Sequence, residues 1–593
     1  MTSPISLNRG VAKAPIAEVP FQSNPCGRVA VNIKQCSNVP TQLPRPQSPC
    51  EDASPFKRVG AFREKGRRNI DSSLTKVQTR MGHPRGDGMV VQPELGKSSS
   101  TPARSIHALT ELNRSRLDAA ALALRSLGRE ATVLEHLFNQ LEASRPSGDR
   151  EATKAELKAT KRLNDVVIDL VASQLQRPGV SSRAARREAL VAFRSARQTL
   201  LNEKVWNKVH TGFEHGGRHY ACTMVPAAQM KLGNKDVFAV SYLDHGVCSS
   251  SIRQITHATN LWTSEIRAQE PDGRDLILFK GVRHGTLSPY GLEEASERRH
   301  LGAANRAREV VTAALFARPE LLSQALAGHE VTLRLVSTSL LTGGLGGEGE
   351  MLRDQMLAWR ELCQSRPLVL SLMGGDGERH AVRINLDVAA FNFGVNEFAL
   401  NLHFGHAQAD GYNATALRQL LGDDLRVRAK PGGWVGEYLG RVPAPANADR
   451  VRLLSHQLKE IWASRAHHQD AGEPYKAAQR AAMLAFEIGA VPCWNCKSGK
   501  DRTGMLDVEI KREAAVWHQG YGPSAPGSRL TTDHQQLLHK VILNGGNKEL
   551  QEYNTWAAGN KVMKKVPGVG LSYDERVGNR FIWNVAQGLS PWV

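Results

Sequence analysis

Cysteine is scarce in this chain: eight residues in 593, at positions 26, 36, 50, 222, 248, 363, 493 and 496. Spread that thinly they form no disulfide framework, and the chain suits a reducing compartment. No second C-x-x-C pair completes a zinc site with Cys493 and Cys496. Long apolar runs are also missing, so no segment reaches membrane-spanning length. Pro4, Asn8, Arg9 and Lys13 interrupt the start of the chain, which excludes the apolar centre of an ordinary signal peptide. Acidic residues are nearly absent at the beginning, where Glu18 is the only one among the first fifty.

What is present is basic. The formal net charge is +19, with 41% hydrophobic and 23% charged residues. The length supports two or three domains with at least one sizeable core. The charge favours anionic partners, whether nucleic acid, acidic lipid or phosphorylated substrates, without choosing among them.

The chain reads as three parts. Residues 1–105 read as a disordered tail, rich in Pro, Ser, Gly, Asn and Arg and without apolar periodicity. Its basic cluster, Lys57, Arg58, Arg63, Lys65, Arg67 and Arg68, reads first as a solvated run, with an anionic membrane as the functional alternative. Residues 106–205 read as a helical bundle region. Leu117, Ala120, Leu124, Leu127, Ala131, Leu134, Phe138 and Leu141 advance in steps of three and four, which predicts one long helix. Two further helices carry Leu163, Val167 and Leu170, then Leu190, Phe193 and Leu200. Packing within the bundle or on the next domain explains such stripes, and a docking surface for a protein is the functional alternative. Residues 206–593 read as an α/β catalytic domain, with strands at 276–279, 331–336 and 368–372 and helices at 303–316 and 475–488. The run Gly343–Gly347 is expected to be a loop and not a dinucleotide site, because no strand–loop–helix unit is apparent around it.

The chemistry concentrates in Cys496-Lys497-Ser498-Gly499-Lys500-Asp501-Arg502-Thr503-Gly504. A cysteine stands six residues before an arginine, with glycine and two lysines between. Loop amides and a following helix N-terminus can hold phosphate oxygens, and the same positive field favours the thiolate. Arg502 can fork two donors onto an anion. Ala490-Val491-Pro492 reads as a strand end and Thr503 as the start of a helix, so the predicted unit is strand, tight loop, helix: a cysteine-phosphatase-type phosphate loop. Three other readings compete. Cys493 and Cys496 form a C-x-x-C pair, but a redox motif leaves the lysines and Arg502 unexplained; a reversible disulfide protecting Cys496 remains open. Gly499-Lys500 is Walker-like, but Asp501 stands where Ser or Thr is required. A buried structural cysteine rarely sits among two lysines and an arginine.

The stretch Asn495 to Glu513, NCKSGKDRTGMLDVEIKRE, resembles the signature of the SopB/IpgD phosphoinositide phosphatases, bacterial effectors delivered into host cells by type III secretion. It also resembles that of the mammalian inositol polyphosphate 4-phosphatases. Phe391 to Glu397, FNFGVNE, is similar to the family's second motif, and Ala558 to Lys564 with Tyr573 to Gly578 to a third. The resemblance implies removal of phosphate from phosphoinositides at a membrane surface, with the 4-phosphate of phosphatidylinositol 4,5-bisphosphate as leading target, and from soluble inositol polyphosphates. It implies a secretion signal and chaperone-binding segment within 1–105, a Rho-family GTPase partner for 106–205, and a place in the host cytoplasm and at its membranes. No nucleic-acid partner is expected.

Roles follow as expectations. Cys496 attacks phosphorus, and Arg502 with the loop amides holds the oxygens. Lys497 and Lys500 add charge for neighbouring phosphates on a polyphosphorylated ring. Ser498, Gly499 and Thr503 complete the substrate-binding set, Thr503 positioning the thiolate or the water. Asp501 is either the general acid or an ion-pair partner that orients Arg502. Asn392, Asn396 and Glu397 either line the pocket or brace the loop, while Phe391, Phe393 and Val395 face the core. His403 and His406 are left outside the site, and neither metal nor cofactor is required. A protein tyrosine or dual-specificity phosphatase is the alternative enzyme. A GTPase-binding scaffold with a residual phosphatase domain is the alternative outside enzymes.

Overall fold

The computed structural model describes residues 104–249, 253–270, 272–293, 296–344, 347–394, 405–469, 473–560 and 576–592. The expected tail lies almost wholly outside the described residues, as do Val395, Asn396, Glu397 and His403.

Among the described residues four helices come first: α1 (Ile106–Ser126), α2 (Glu135–Ala143), α3 (Lys154–Ser173) and α4 (Ser182–Glu203). Ser105, Thr153 and Ser181 cap α1, α3 and α4 by accepting the amide three residues on. The long helix expected from Leu117 to Leu141 is in fact two. Gly128 takes a φ of 69° just past α1, a left-handed turn that ends the helix. The three-four spacing nevertheless serves one purpose. Leu117, Leu124, Leu134, Val167 and Phe193 are buried in a shared core, and Leu127, Phe138 and Leu141 pack against it. The bundle also leans on the end of the chain. Leu109, Leu112 and Leu157 bury with Ala557 and Leu589. Arg116 donates to the carbonyl of Trp592 at 2.5 Å, and Arg197 to that of Thr555 at 3.1 Å.

The main sheet has eight strands: β1 (Val209–His215), β2 (Arg218–Pro226), β3 (Trp262–Gln269), β4 (Asp275–His284), β5 (Val331–Ser339), β6 (Leu368–Met373), β7 (Arg379–Asn392) and β8 (Val491–Asn495). Their spatial order is β1-β2-β3-β4-β8-β5-β7-β6. β8 runs parallel to both β4 and β5, and β5 parallel to β7; the outer pairs are antiparallel. The expected strands fall within β4, β5 and β6. Helices α5 (Glu297–Phe316), α6 (Glu348–Gln364), α7 (His406–Leu421), α8 (Ala448–Ala463), α9 (Lys476–Glu487) and α10 (Asp501–His518) follow in the chain. Side chains alternate across the sheet into two cores. Cys493 packs with Val282, Leu335 and Val310, whereas Trp494 packs with Ile266, Leu506 and Ile510.

This topology decides where a ligand can sit. β8, the last strand among the described residues, is inserted between two earlier ones, which opens a crevice outside the carboxyl ends of the strands. β4, β8, β5 and β7 end at one edge, and their register aligns His284, Asn495, Ser339 and Asn392 in a row. All four are buried. The blocks beginning at Phe391 and Asn495, far apart in sequence, therefore meet at that edge. One expectation is corrected: β5 and α6 do frame the Gly343–Gly347 run. Gly347, at φ 77°, turns the chain into α6. What disfavours a dinucleotide there is charge, since the Glu348 carboxylate stands at the helix start and accepts the Thr342 amide at 2.8 Å.

Candidate active site

Cys496 is the first residue after β8 and is 2% exposed. Both ends of the turn that follows are anchored. The Asn495 carboxamide exchanges two 2.9 Å hydrogen bonds with Gln355 of α6, and Trp494 Nε1 donates to the Thr503 carbonyl at 3.1 Å. Between these anchors the carbonyls are held from behind. The Thr286 amide donates to Lys497 O at 3.2 Å. Asn260 Nδ2 donates to Ser498 O and Gly499 O, at 3.1 and 2.8 Å. Arg283 Nη2 donates to Gly499 O and Lys500 O, both at 3.2 Å. On the other side, the amides of Ser498 and Thr503 donate to the Cys496 sulfur. Gly499 makes the turn possible. Its φ is 65°, and a Cβ there would lie 2.6 Å from Gly285 N and 2.7 Å from the His284 carbonyl carbon. Gly499→Ala combines a left-handed penalty of roughly 1–2 kcal/mol with a collision against backbone. It is expected to lower the thermal midpoint and to cut any phosphatase activity at least tenfold; wild-type values for both would contradict this account of the turn.

Burial by itself pushes the Cys496 thiol up. The Arg502 charge and hydrogen bonds from Thr503 and Ser498 outweigh it, and the thiol is held below the ordinary cysteine value. Thr503 Oγ1 donates to the sulfur at 3.0 Å. Cys493, three residues earlier, is the opposite case: burial alone drives its thiol far up. Its side chain enters the other core, so the geometry does not support a protective disulfide with Cys496. Thr503→Val removes the hydroxyl at nearly constant volume. The pH profile of iodoacetamide alkylation of Cys496 is expected to move upward by about one unit, and an unmoved profile would count against the Thr503 hydrogen bond.

Arg502 is oriented by a residue that the motif does not contain. Its Nη1 donates to Leu340 O at 2.8 Å and to Glu348 Oε2 at 3.0 Å, and its Nη2 to Glu348 Oε1 at 2.6 Å. Three of the five guanidinium donors are thus used. Nε–H and the second Nη2–H lie together on the adjacent edge of the fork, with no partner among the described residues. Burial disfavours the charge, but Glu348 and the Cys496 sulfur outweigh it and raise the guanidinium above its ordinary value.

The other expected residues gather around this centre. Lys497 Nζ stands 4.9 Å over the Tyr290 ring. Asp501 is the first residue of α10, and Asn560 of the third sequence block donates to its carbonyl at 3.4 Å. The carboxylate paired with Arg502 is Glu348. Asn392 braces the neighbouring backbone: its Nδ2 donates to Ser339 O and Leu341 O at 3.2 and 2.8 Å. These flank Leu340, whose carbonyl receives Arg502. Asn413 fixes Asn392 in turn through its backbone N and O, both at 2.8 Å. Phe391 and Phe393 are in the core as expected. Arg576, also in the third block, pairs with Glu509 of α10 at 2.6 Å.

The family model for "Enterobacterial virulence protein IpgD" matches residues 77–593. The chain belongs to the IpgD family. Inositol phosphate phosphatase SopB of Salmonella typhimurium is 50% identical to it over 82% of this chain and 87% of its own length. Inositol phosphate phosphatase IpgD of Shigella flexneri is 39% identical, over 81% and 87%. Among solved structures, a Legionella phosphoinositide phosphatase overlays with a TM-score of 0.54 at 10% identity, covering 81% of this chain and 89% of that one. That likeness shows a common mixed α/β fold around a central sheet.

In this IpgD-family chain, sequence reasoning missed Glu348, Asn260, Arg283 and Gln355. None lies within a motif, and they reach the Cys496 turn only through the strand order. One faint signal existed: Glu348 opens a helix directly after a glycine run.

Proposed function

We propose that this chain is a secreted virulence phosphatase that removes phosphate from phosphoinositides and soluble inositol phosphates through a cysteinyl-phosphate intermediate. The observation that carries the reading is a thiol held low beside amides and an unfilled guanidinium edge, at the mouth of the central sheet. The Cys496 thiolate attacks phosphorus in line, and the S–P bond forms as the bond to the ring oxygen breaks. Amides of the 497–502 turn and the free edge of Arg502 receive the equatorial oxygens. Asp501 gives its proton to the leaving alkoxide. A water then attacks phosphorus, its proton returns to Asp501, and phosphate and the thiolate are regenerated. Lys497 and Lys500 meet the neighbouring phosphates of the inositol ring. The curated relatives named as inositol phosphate phosphatases support this substrate class. By the same resemblance the first target is the 4-phosphate of phosphatidylinositol 4,5-bisphosphate. Delivery is by type III secretion with a chaperone on the N-terminal tail, and the helices of 106–205 offer a surface to a Rho-family GTPase.

The test is phosphate release from vesicles of each phosphoinositide, from soluble inositol phosphates and from phosphotyrosine peptides. Release from the lipid or inositol substrates is expected. Activity confined to phosphotyrosine would overturn the substrate class and favour the protein phosphatase reading.

A further inference from the structure

A second cluster of reactive side chains lies outside the Cys496 turn. Asp410 stands on α7, and His467 and His468 on a short turn after α8. Both imidazoles aim Nε2 at the same carboxylate oxygen: Asp410 Oδ1 lies 2.9 Å from His467 and 2.7 Å from His468. One ligand atom from each of the three residues fits within a 4.8 Å span. The histidines are buried, while the Asp410 side chain is 20% exposed. Arg465 neutralises the far oxygen, Oδ2, at 2.6 Å from a side chain that is itself 62% exposed, leaving Oδ1 to the rings.

The donors converge: His467 Nε2 and His468 Nε2 both point at Asp410 Oδ1, and His467 Nδ1 faces the Ile461 carbonyl at 3.5 Å. In a metal-bound arrangement His467 Nδ1–H turns to that backbone carbonyl, while both Nε2 atoms and Oδ1 present lone pairs to one ion. A small cleft lined by Gly343, Asn392, Gly405, His406, His467 and His468 adjoins the cluster and offers a place for a water as the fourth ligand. Tetrahedral bonds of about 2.0–2.1 Å place ligand atoms roughly 3.3 Å apart, so each Nε2–Oδ1 separation would widen by about half an ångström.

We propose that Asp410, His467 and His468 bind one divalent transition-metal ion of the zinc class, as a structural clamp apart from the thiolate chemistry. Two histidines and a carboxylate are a donor set for such ions, whereas magnesium and calcium prefer all-oxygen sites. The clamp ties the 466–468 turn to α7. Asp410 and Asn413 lie three residues apart on that helix, hence on one side of it. Asn413 holds Asn392, and Asn392 holds the segment whose Leu340 carbonyl receives Arg502. The ion therefore steadies the wall behind Arg502.

The test uses the full-length chain carrying Cys496→Ser, so that the reactive thiolate does not compete. Metal-free protein is titrated with Zn²⁺ against a chromophoric chelator, and with Co²⁺ by absorption. Expected are one tight equivalent of zinc, visible cobalt bands without a thiolate charge-transfer band, and a thermal midpoint raised by a few degrees with zinc. Asp410→Asn keeps the shape and His468→Ala removes one ring. Each is expected to weaken zinc binding at least about 100-fold and abolish the thermal shift, with the circular dichroism unchanged, while Arg465→Gln keeps binding. No zinc bound by the parent protein, a cobalt spectrum with thiolate ligation, or equal affinity in Asp410→Asn would each overturn the site.

Discussion

Replacing Cys496 with serine is expected to lower phosphate release from phosphoinositides by roughly four orders of magnitude or more at neutral pH. The substitution leaves the surroundings intact. The Asn495–Gln355 pair, the carbonyl bonds from Asn260 and Arg283, and the left-handed Gly499 do not depend on sulfur. What changes is the proposed nucleophile. The charge and hydrogen bonds that favour a thiolate at Cys496 cannot ionise an alcohol near neutrality. Binding should therefore survive the loss of turnover, and the variant should still sediment with phosphoinositide vesicles. The pH dependence has a definite sign. The folded thiol is held below its ordinary value, so alkylation of wild-type Cys496 should rise with pH as it ionises and level off below the pH at which free cysteine titrates. Residual turnover within tenfold of wild type would rule out Cys496 as the nucleophile.

Local reading of the chain went furthest where function is packed into consecutive residues. The turn from Cys496 to Thr503 carries its own strand end, glycine and helix start, so its shape was legible without a partner. Asn392 was legible as a residue of the same centre, but its task was not. A carboxamide can bind a ligand or hold backbone, and only the register of β7 beside β5 makes it the clamp on Ser339 and Leu341. The helix predicted across Leu117 to Leu141 failed for a local reason. Hydrophobic spacing persists through a left-handed glycine because both helices face one core. Parallel strand order was beyond reach, since β8 comes last in sequence and enters the middle of the sheet. Everything that depends on that insertion, including the approach of α6 to Arg502, became visible only in the fold.

The approach of α6 carries the other large expected effect. Arg502→Lys should reduce turnover by roughly three orders of magnitude, because an ammonium cannot give two parallel donors to a phosphoryl group and replace the guanidinium's other bonds at once. Glu348 and Leu340 take three of the Arg502 donors and leave those of the Nε–Nη2 edge. In the proposed mechanism Glu348 is thus a positioning residue: it acts through Arg502, which it holds by two hydrogen bonds. Glu348→Gln keeps the size but loses the charge-assisted fork, and Arg502 is then free to swing. A displacement of about an ångström costs on the order of a hundredfold, and the loss should fall on kcat more than on KM, since the fork is needed most as charge develops on the equatorial oxygens. A purely structural role for Glu348 would instead lower the thermal midpoint and leave kcat per folded molecule unchanged. The double variant separates the two. If Glu348 works only through the guanidinium, adding Glu348→Gln to Arg502→Lys should cost far less than Glu348→Gln costs alone. Fully additive losses would mean that α6 supports the site by a route other than Arg502.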